Sequence, residues 1–334
     1  MKTIAKDRIE ILFKNLLGKT IAVVGDLMLD RYIWGNVSRI SPEAPVPVID
    51  VASESARLGG AANVANNIKS LGAVPLLVGV IGDDNSGKLL RQTIEEMGFS
   101  TSGIVKDEER STTVKTRVIA HNQHVVRIDR ESRSDISSVI EEKLLFTMRR
   151  QMKNIDAIIL EDYNKGVITE HLITEIVKLA HEHNTIVTVD PKAKNFFTYN
   201  NVTVFKPNRK ETEDALGINL ESEANVVQAG KTLLEKLHAK NILLTRSEKG
   251  MTLFASDGSI NHIPTKARKV ADVSGAGDTV IATLTLALAS GATIHEAAIL
   301  ANHAGGIVCG EVGIVPISKE GLKHAVLNET NGKA

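Results

Sequence analysis

The sequence predicts a three-layer α/β sandwich with a mostly parallel central sheet and a small β lid, and three observations predict it. Short β-branched runs, "TIAVVGD", "LLVGVIGDD", "DAIILEDY", "TIVTVDPK", "VTVFKPN" and "NILLTRS", alternate with helix-patterned segments such as 138 to 152 and 169 to 183. That rhythm belongs to a parallel sheet covered by helices on both faces. Each run stays apolar almost to its last residue and then turns polar, at Asp26, Asp83, Asp162, Asp190, Asn208 and Ser247. Ligands of open α/β sheets sit outside the carboxyl ends of the strands, so these positions are expected to converge on one site. The third observation is a break in the rhythm: segments of about 31–51 and 112–131 alternate like strands with no helix between, and the first contains three prolines, which suit edges and turns. We read them as the lid of a single domain spanning residues 1–334.

The elements follow in order. Ile4, Ile9, Leu12, Phe13 and Leu16 fall on one face of an N-terminal amphipathic helix. Asp7, Arg8 and Glu10 interrupt its apolar character, unlike a signal peptide. After the first strand, "VVGDLMLD" places Asp26 and Asp30 where a dinucleotide fold needs glycines, and two carboxylates there suit sugar hydroxyls better. "LGGAANVANNIKSLGA" reads as an Ala-rich helix packed tightly on the sheet. Its Gly59 and Gly60 also bare N–H groups at a helix start, with Asn63 one turn in, where a polar ligand docks. "GDDNSGKLL" nearly spells a phosphate-binding P-loop, but Leu89 stands in place of the metal-binding hydroxyl and Asp83 and Asp84 would repel phosphate; a capped helix start is the better reading.

Between Arg110 and Arg133 the second lid segment carries six Lys or Arg residues, read either as a solvated β surface or as cations for a substrate phosphate. In "KPNRKE", Asn208 and Glu211 lie three apart on one helical face. They either cap the helix or organise hydrated Mg²⁺ beside nucleotide phosphates. "DVSGAGDT" is the strongest signal: Gly275, Ala276 and Gly277 can present consecutive N–H groups to an anion at the positive end of the apolar helix that follows. Asp278 behind them can accept the proton of an attacking hydroxyl, and a plain N-cap would leave the three small residues unexplained. Phosphoryl transfer needs both functions.

Composition narrows the partners. Lys plus Arg equals Asp plus Glu at 40 each, so no global field holds nucleic acid or an anionic membrane. Cys309 is the only cysteine, which excludes an intramolecular disulfide and a cysteine metal cluster. Neither "HEH" nor "HNQH" has zinc spacing with a third ligand nearby. The longest apolar stretch, "VIATLTLALAS", is about half a bilayer span, and a soluble cytoplasmic protein is expected.

"GGAANVA" and "DVSGAGDT", in this order and separation, with "PNRKE" between them, resemble the signatures of the ribokinase-like (PfkB) carbohydrate kinases across almost the whole chain. Within that family, "GDLMLDRYIWGNVSRISPEAPVPV", "EDYNKG", "VDPK" and "TRSEKGM" resemble the D-glycero-β-D-manno-heptose 7-phosphate kinases. The resemblance implies a ribokinase-like fold, ATP and Mg²⁺, phosphorylation at the anomeric oxygen to a 1,7-bisphosphate, and a place in ADP-heptose supply for lipopolysaccharide. In many relatives the module is fused to a nucleotidyltransferase with an H-x-G-H signature. "HAGG" at 303 to 306 lacks the second His, and a stand-alone kinase is expected.

Carried over residue by residue, Asp278 resembles the catalytic base and Gly275, Ala276 and Gly277 the anion hole. Asn208, Arg209, Lys210 and Glu211 resemble the ATP and Mg²⁺ motif, and Thr245, Ser247 and Gly250 the nucleotide loop. Asp26, Asp30, Gly59, Gly60 and Asn63 resemble sugar-contacting positions, and Asp272 and Ser274 a monovalent cation (K⁺) site. Ser274 replaces the Thr common in close relatives and keeps the hydroxyl. Lys165, Lys192, Arg127 and Arg130 are the candidates for the substrate's phosphate. Relatives pair their lid edges, so a homodimer is expected. The rival readings are a kinase for another sugar or sugar phosphate, a non-catalytic sugar-phosphate sensor, and a nicotinamide dehydrogenase, the last disfavoured by the missing glycine fingerprint.

Overall fold

The computed structural model of the chain describes residues 4–121, 123–266, 272–311 and 313–330. In chain order the elements are α1 (Lys6–Asn15), β1 (Thr20–Gly25), β2 (Leu27–Ile40), β3 (Pro47–Gly60), α2 (Ala61–Ser70), β4 (Val74–Gly82), α3 (Asn85–Glu96), β5 (Ser100–Asp107), β6 (Thr113–Ala120), β7 (Gln123–Arg130), α4 (Ser138–Gln151) and β8 (Ala157–Glu161). Then come α5 (Glu170–Glu182), β9 (Ile186–Asp190), β10 (Val204–Phe205), α6 (Arg209–Leu216), α7 (Glu223–Leu237), β11 (Asn241–Thr245), β12 (Met251–Ala255), β13 (Ile260–Ile263), α8 (Ala276–Ala289), α9 (Ile294–Val308) and α10 (Lys319–Thr330).

Nine strands form the main sheet in the order β13-β12-β11-β10-β9-β8-β1-β4-β5. Every neighbouring pair is parallel except β11 with β12 and β12 with β13. The apolar runs are continuous because both faces are covered. Ile21 and Val23 of β1 join the core with Val64 of α2, Ile281 of α8 and Ala301 of α9. Ala22 and Val24, pointing the other way, join the core with Leu144 of α4, Ile176 of α5 and Leu233 of α7. No helix among the described residues is long and apolar enough to cross a membrane.

The second sheet has the order β3-β2-β6-β7. It contains both segments read as the lid, but it is larger than the sequence implies, because β2 and β3 pair from Leu27↔Gly60 out to Ile40↔Pro47. The inner half of β3, "ASESAR", is too polar to show alternation, so its strand character is set by its partner β2. The chain leaves the main sheet for this one across the single residue Asp26 and returns from β3 directly into α2. Gly60 makes that return possible: its φ is +56°, and a Cβ there would lie 2.5 Å from the Asp26 carbonyl oxygen. The N–H of Ala61 donates to that same carbonyl at 3.1 Å. Gly59 and Gly60 thus end β3, and Gly60 is also the N-cap of α2. The P-loop reading also gives way to its alternative, since Asp84 caps α3 by accepting from the N–H of Gly87.

Candidate active site

Asp278 stands in the first turn of α8, but it does not cap that helix. The N-cap is Gly275, in the left-handed conformation at φ +76°, with no side-chain cap. The Asp278 carboxylate points inward and is only 4% exposed. Its Oδ1 accepts from the Tyr163 hydroxyl at 2.7 Å, and its Oδ2 from the Asn63 amide at 2.7 Å. Burial pushes its pKa up to about 6, against the two hydrogen bonds, which pull it down. A carboxylate held near neutrality is suited to accept a proton at physiological pH.

Of the three N–H groups in front of α8 that the sequence reads as an anion hole, one is already engaged within the loop. The N–H of Ala276 donates to the Val273 carbonyl at 3.2 Å, which removes it from the set. The N–H groups of Gly275 and Gly277 make no hydrogen bond to a described residue. A Cβ on Gly277 would meet only ordinary contacts, 3.6 Å from Asp190 Oδ2 and 3.8 Å from Lys206 Nζ. Nothing in the fold demands glycine there. Asp272 accepts from the N–H groups of Ser274 at 2.9 Å and Gly313 at 3.1 Å, ties the loop to residue 313, and is held below the usual carboxylate range by those donors despite its burial.

Tyr163, which sequence reasoning quoted inside "EDYNKG" without assigning it a role, is brought here by Asp26. The Asp26 carboxylate accepts from the N–H groups of Tyr163 at 2.7 Å, Lys165 at 3.1 Å and Val167 at 3.2 Å. It is 1% exposed, and burial first, then Asp162, raises its pKa to about 6. Read as a sugar contact, Asp26 is instead an internal staple for the loop after β8. Asn164 takes a positive φ of 54° in that loop, with its N–H on Asp162 Oδ1 at 2.7 Å. Asp162 is itself held by the Tyr199 hydroxyl at 2.7 Å. Of the polar strand ends, Asp83, just past β4, pairs instead with Lys106 at 3.0 Å.

Charged groups crowd behind Asp278. Lys206 is buried, with Nζ 2.7 Å from Asp190 Oδ2. Lys192 is 2.5 Å from Glu211 and 3.9 Å from Asp190, and against the cost of burial these carboxylates hold it above the ordinary lysine value. Glu161, paired in register with Asp190 across β8 and β9, buries both carboxylate oxygens without a hydrogen-bond partner. Burial, then Asp190 and Asp278, raise its pKa well above the usual range.

On the far side, Asn208 and Glu211 form a reciprocal capping box at the head of α6, each side chain accepting from the other's N–H at 2.9 Å. The capping role is therefore real, and it leaves Glu211 facing Lys192. Arg209 and Lys210 of the same motif turn along the helix to Glu213 and Asp214. Thr245 bridges to Asn208, so the end of β11 lies beside this helix start. The following loop places Ser247 at φ +50° and Gly250 at φ +79°, where a Cβ would lie 2.1 Å from the Ile263 carbonyl oxygen. Buried Arg246 steadies it by gripping both Glu223 oxygens, at 2.9 and 2.5 Å.

The second sheet contributes cations that the sequence did not single out. Arg117 pairs with buried Asp30, and Arg57 and Arg117 lie 5.4 and 5.5 Å from the Tyr32 ring centroid. Lys115 and Lys192 lie 5.1 and 5.5 Å from the ring centroid of Tyr163. The chosen Arg127 and Arg130 sit on β7, every residue of which is exposed, and Arg127 pairs with Asp129. β7 is an edge strand of the second sheet, and Arg127 lies opposite Arg117 on the neighbouring β6. Lys165 is near the site but held by Glu131 at 2.7 Å.

Comparison with known proteins gives the arrangement its context. A family model described as pfkB family carbohydrate kinase matches residues 19–320. The chain is 46% identical over 313 residues to a protein named Bifunctional protein HldE from Geobacter metallireducens, covering 94% of this chain and 64% of that one. It is 44% identical over 315 residues to a Bifunctional protein HldE from Helicobacter pylori, covering 94% and 68%. It thus spans about two thirds of the length of these curated relatives. Among solved structures, Arabidopsis thaliana ribokinase complexed with ribose and ATP superposes with a TM-score of 0.73 at 18% identity, covering 93% of this chain and 99% of that one. Escherichia coli phosphofructokinase-2 in complex with fructose-6-phosphate gives 0.75 at 16%, covering 94% and 99%. At such identities the likeness is one of fold. The family match and the identity across nearly the whole chain support one assignment: the chain belongs to the pfkB family of carbohydrate kinases, and it is a sugar kinase.

Proposed function

We propose that the protein transfers the terminal phosphoryl group of ATP to the anomeric hydroxyl of D-glycero-β-D-manno-heptose 7-phosphate, giving the 1,7-bisphosphate. The observation that carries the reading is Asp278: a buried carboxylate with its pKa near 6, one residue behind a glycine whose N–H makes no hydrogen bond to a described residue. In-line transfer needs a proton acceptor on the attacking hydroxyl and donors for the charge on the equatorial oxygens. Asp278 supplies the first. The N–H groups of Gly275 and Gly277 and the positive end of α8 supply the second.

The sugar enters from the side of the second sheet, where Asn63 and the Tyr163 hydroxyl hold the Asp278 carboxylate and Asp30 lies on β2. Tyr163 donates to Asp278 Oδ1, so it sets the base's orientation and proton affinity. The nucleotide lies over the heads of α6 and the 245–250 loop, with Asn208, Glu211, Thr245, Ser247 and Gly250 along it. The Asn208 amide oxygen and the Glu211 carboxylate are oxygen donors of the kind Mg²⁺ takes, and an ion that keeps its waters asks for few protein ligands. Asn208 and Glu211 would hold it through water, and it would neutralise charge between the β- and γ-phosphates. Asp272 and Ser274 are retained as the candidate K⁺ site. The heptose itself is proposed on the likeness of the lid and "EDYNKG" segments to heptose-phosphate kinases, and the HldE relatives support it.

The test is a substrate panel with Mg-ATP. The purified chain should turn over the heptose 7-phosphate with a higher kcat/KM than hexose or pentose phosphates. A preference for a six-carbon or five-carbon acceptor moves the assignment to another sugar kinase of the family.

A further inference from the structure

Four cations surround Tyr163 and the entrance from the second sheet: Lys115, Arg117, Lys165 and Lys192. Three have carboxylate partners: Arg117 has Asp30, Lys165 has Glu131, and Lys192 has Glu211. Lys115 differs. In the ladders of β6 it lies between Asp30 of β2 and Asp129 of β7. Asp30 is engaged by Arg117, and Asp129 by Arg127 at 3.0 Å. Lys115 is left with no ion pair or hydrogen bond to a described residue, and its ammonium rests over the Tyr163 ring, 5.1 Å from the centroid. It is half-buried, and burial pushes its pKa below the ordinary lysine value against the attraction of Asp30, with Lys165 and Arg117 adding to the fall. A cation withdrawn from water without a counter-ion is costly, and an incoming anion relieves that cost.

The position of this lysine selects the anion. Lys192, on the other contact with the same ring, is tied through Glu211 to the head of α6, on the nucleotide side. Lys115 comes from the second sheet, on the acceptor side of Tyr163, whose hydroxyl touches the base. We propose that Lys115 receives the phosphate group already carried by the acceptor sugar, and so makes the enzyme select phosphorylated over free sugars. This rests on the sugar-phosphate kinase reading above. A phosphate monoester satisfies an ammonium by a charge-assisted hydrogen bond, the stronger kind, while the Tyr163 ring keeps the lysine in place when the site is empty.

The test compares wild type, Lys115→Met and Lys115→Arg for KM with sugar phosphate, the matching free sugar and ATP. Lys115→Met should raise KM for the sugar phosphate roughly tenfold to a hundredfold, the loss of one charge-assisted hydrogen bond. KM for ATP and turnover of the free sugar should stay within about twofold, and Lys115→Arg should recover most of the effect. A rise in the ATP KM alone would assign Lys115 to the transferring phosphate, and an equal rise for phosphorylated and free sugar would make its role structural; either overturns the proposal. Calorimetry with inorganic phosphate, on the full chain holding Mg²⁺ and a non-hydrolysable ATP analogue, separates this from the underlying reading. If wild type phosphorylates no sugar phosphate, the substrate reading fails. Phosphate binding weakened by Lys115→Met would then still support the anion site, and phosphate binding unchanged by Lys115→Met would overturn it.

Discussion

The pKa of Asp278 is a balance of named contributions, and its pH behaviour follows from their signs. Burial raises it to about 6, and the hydrogen bonds from Tyr163 and Asn63 lower it. The base works unprotonated, so kcat/KM should fall as pH drops through about 6. Tyr163→Phe removes a donor that favours the ionised form, so the acid limb should move to higher pH. A limb left in place by Tyr163→Phe would show that the hydroxyl does not act on the base. Neither feature was legible in the sequence. "DVSGAGDT" identifies Asp278 and the glycines, but the partner hydroxyl lies 115 residues away, delivered by a loop whose folding is not encoded in its own pattern. The same distance problem misassigned Asp26: its three N–H partners are 137 to 141 residues along the chain. A strand-end carboxylate read locally cannot be told from a ligand contact.

At the scale of elements, two positions separate what the fold needs from what the chemistry needs. Gly277 occupies the first turn of α8 with room for a methyl group. Gly277→Ala should leave stability unchanged or raise it by up to about 1 kcal/mol, since alanine is the better helix former. Turnover should collapse, because the methyl group stands where the phosphoryl group approaches. An alanine variant with full activity, measured beside its melting temperature, would dissociate this glycine from the anion hole. Asp26 is the reverse case. Asp26→Ala leaves three buried N–H groups without their acceptor, at about 1 kcal/mol or more each, and both the denaturation midpoint and turnover should fall. An unchanged midpoint would contradict its role as a staple. The parallel strands were legible because strands buried on both faces are written as continuous apolar runs. The inner half of β3 was not, because its exposed polar residues carry no alternation and take their register from β2.

For the whole molecule, the exposed second sheet is the feature with the widest consequence. Its outer strand β7 is unpaired on one edge among the described residues, and Val126 and Ile128 on it are 47% and 57% exposed. An apolar edge of this kind is an association surface, and we propose that two copies pair through it into a homodimer. Light scattering should give twice the chain mass, and Ile128→Lys should shift the protein toward monomer. A monomeric wild type at working concentration would remove the dimer. The lid cations illustrate how sequence and structure divide the information: a run of six Lys and Arg residues was visible, but choosing among them needed the sheet, which carries Arg127 and Arg130 on the exposed edge strand β7 and sets Lys115 against Tyr163 and Arg117 against Asp30.

The central claim is that Asp278 takes the proton from a sugar hydroxyl during phosphoryl transfer. It is tested most directly by single-turnover kinetics of Asp278→Asn with Mg-ATP and the heptose 7-phosphate, beside a titration of ATP binding. The variant keeps the shape of the side chain and loses the base. Phosphoryl transfer should slow by roughly 10² to 10⁴ with ATP affinity within a few-fold of wild type, whereas near-normal transfer by Asp278→Asn would contradict the account.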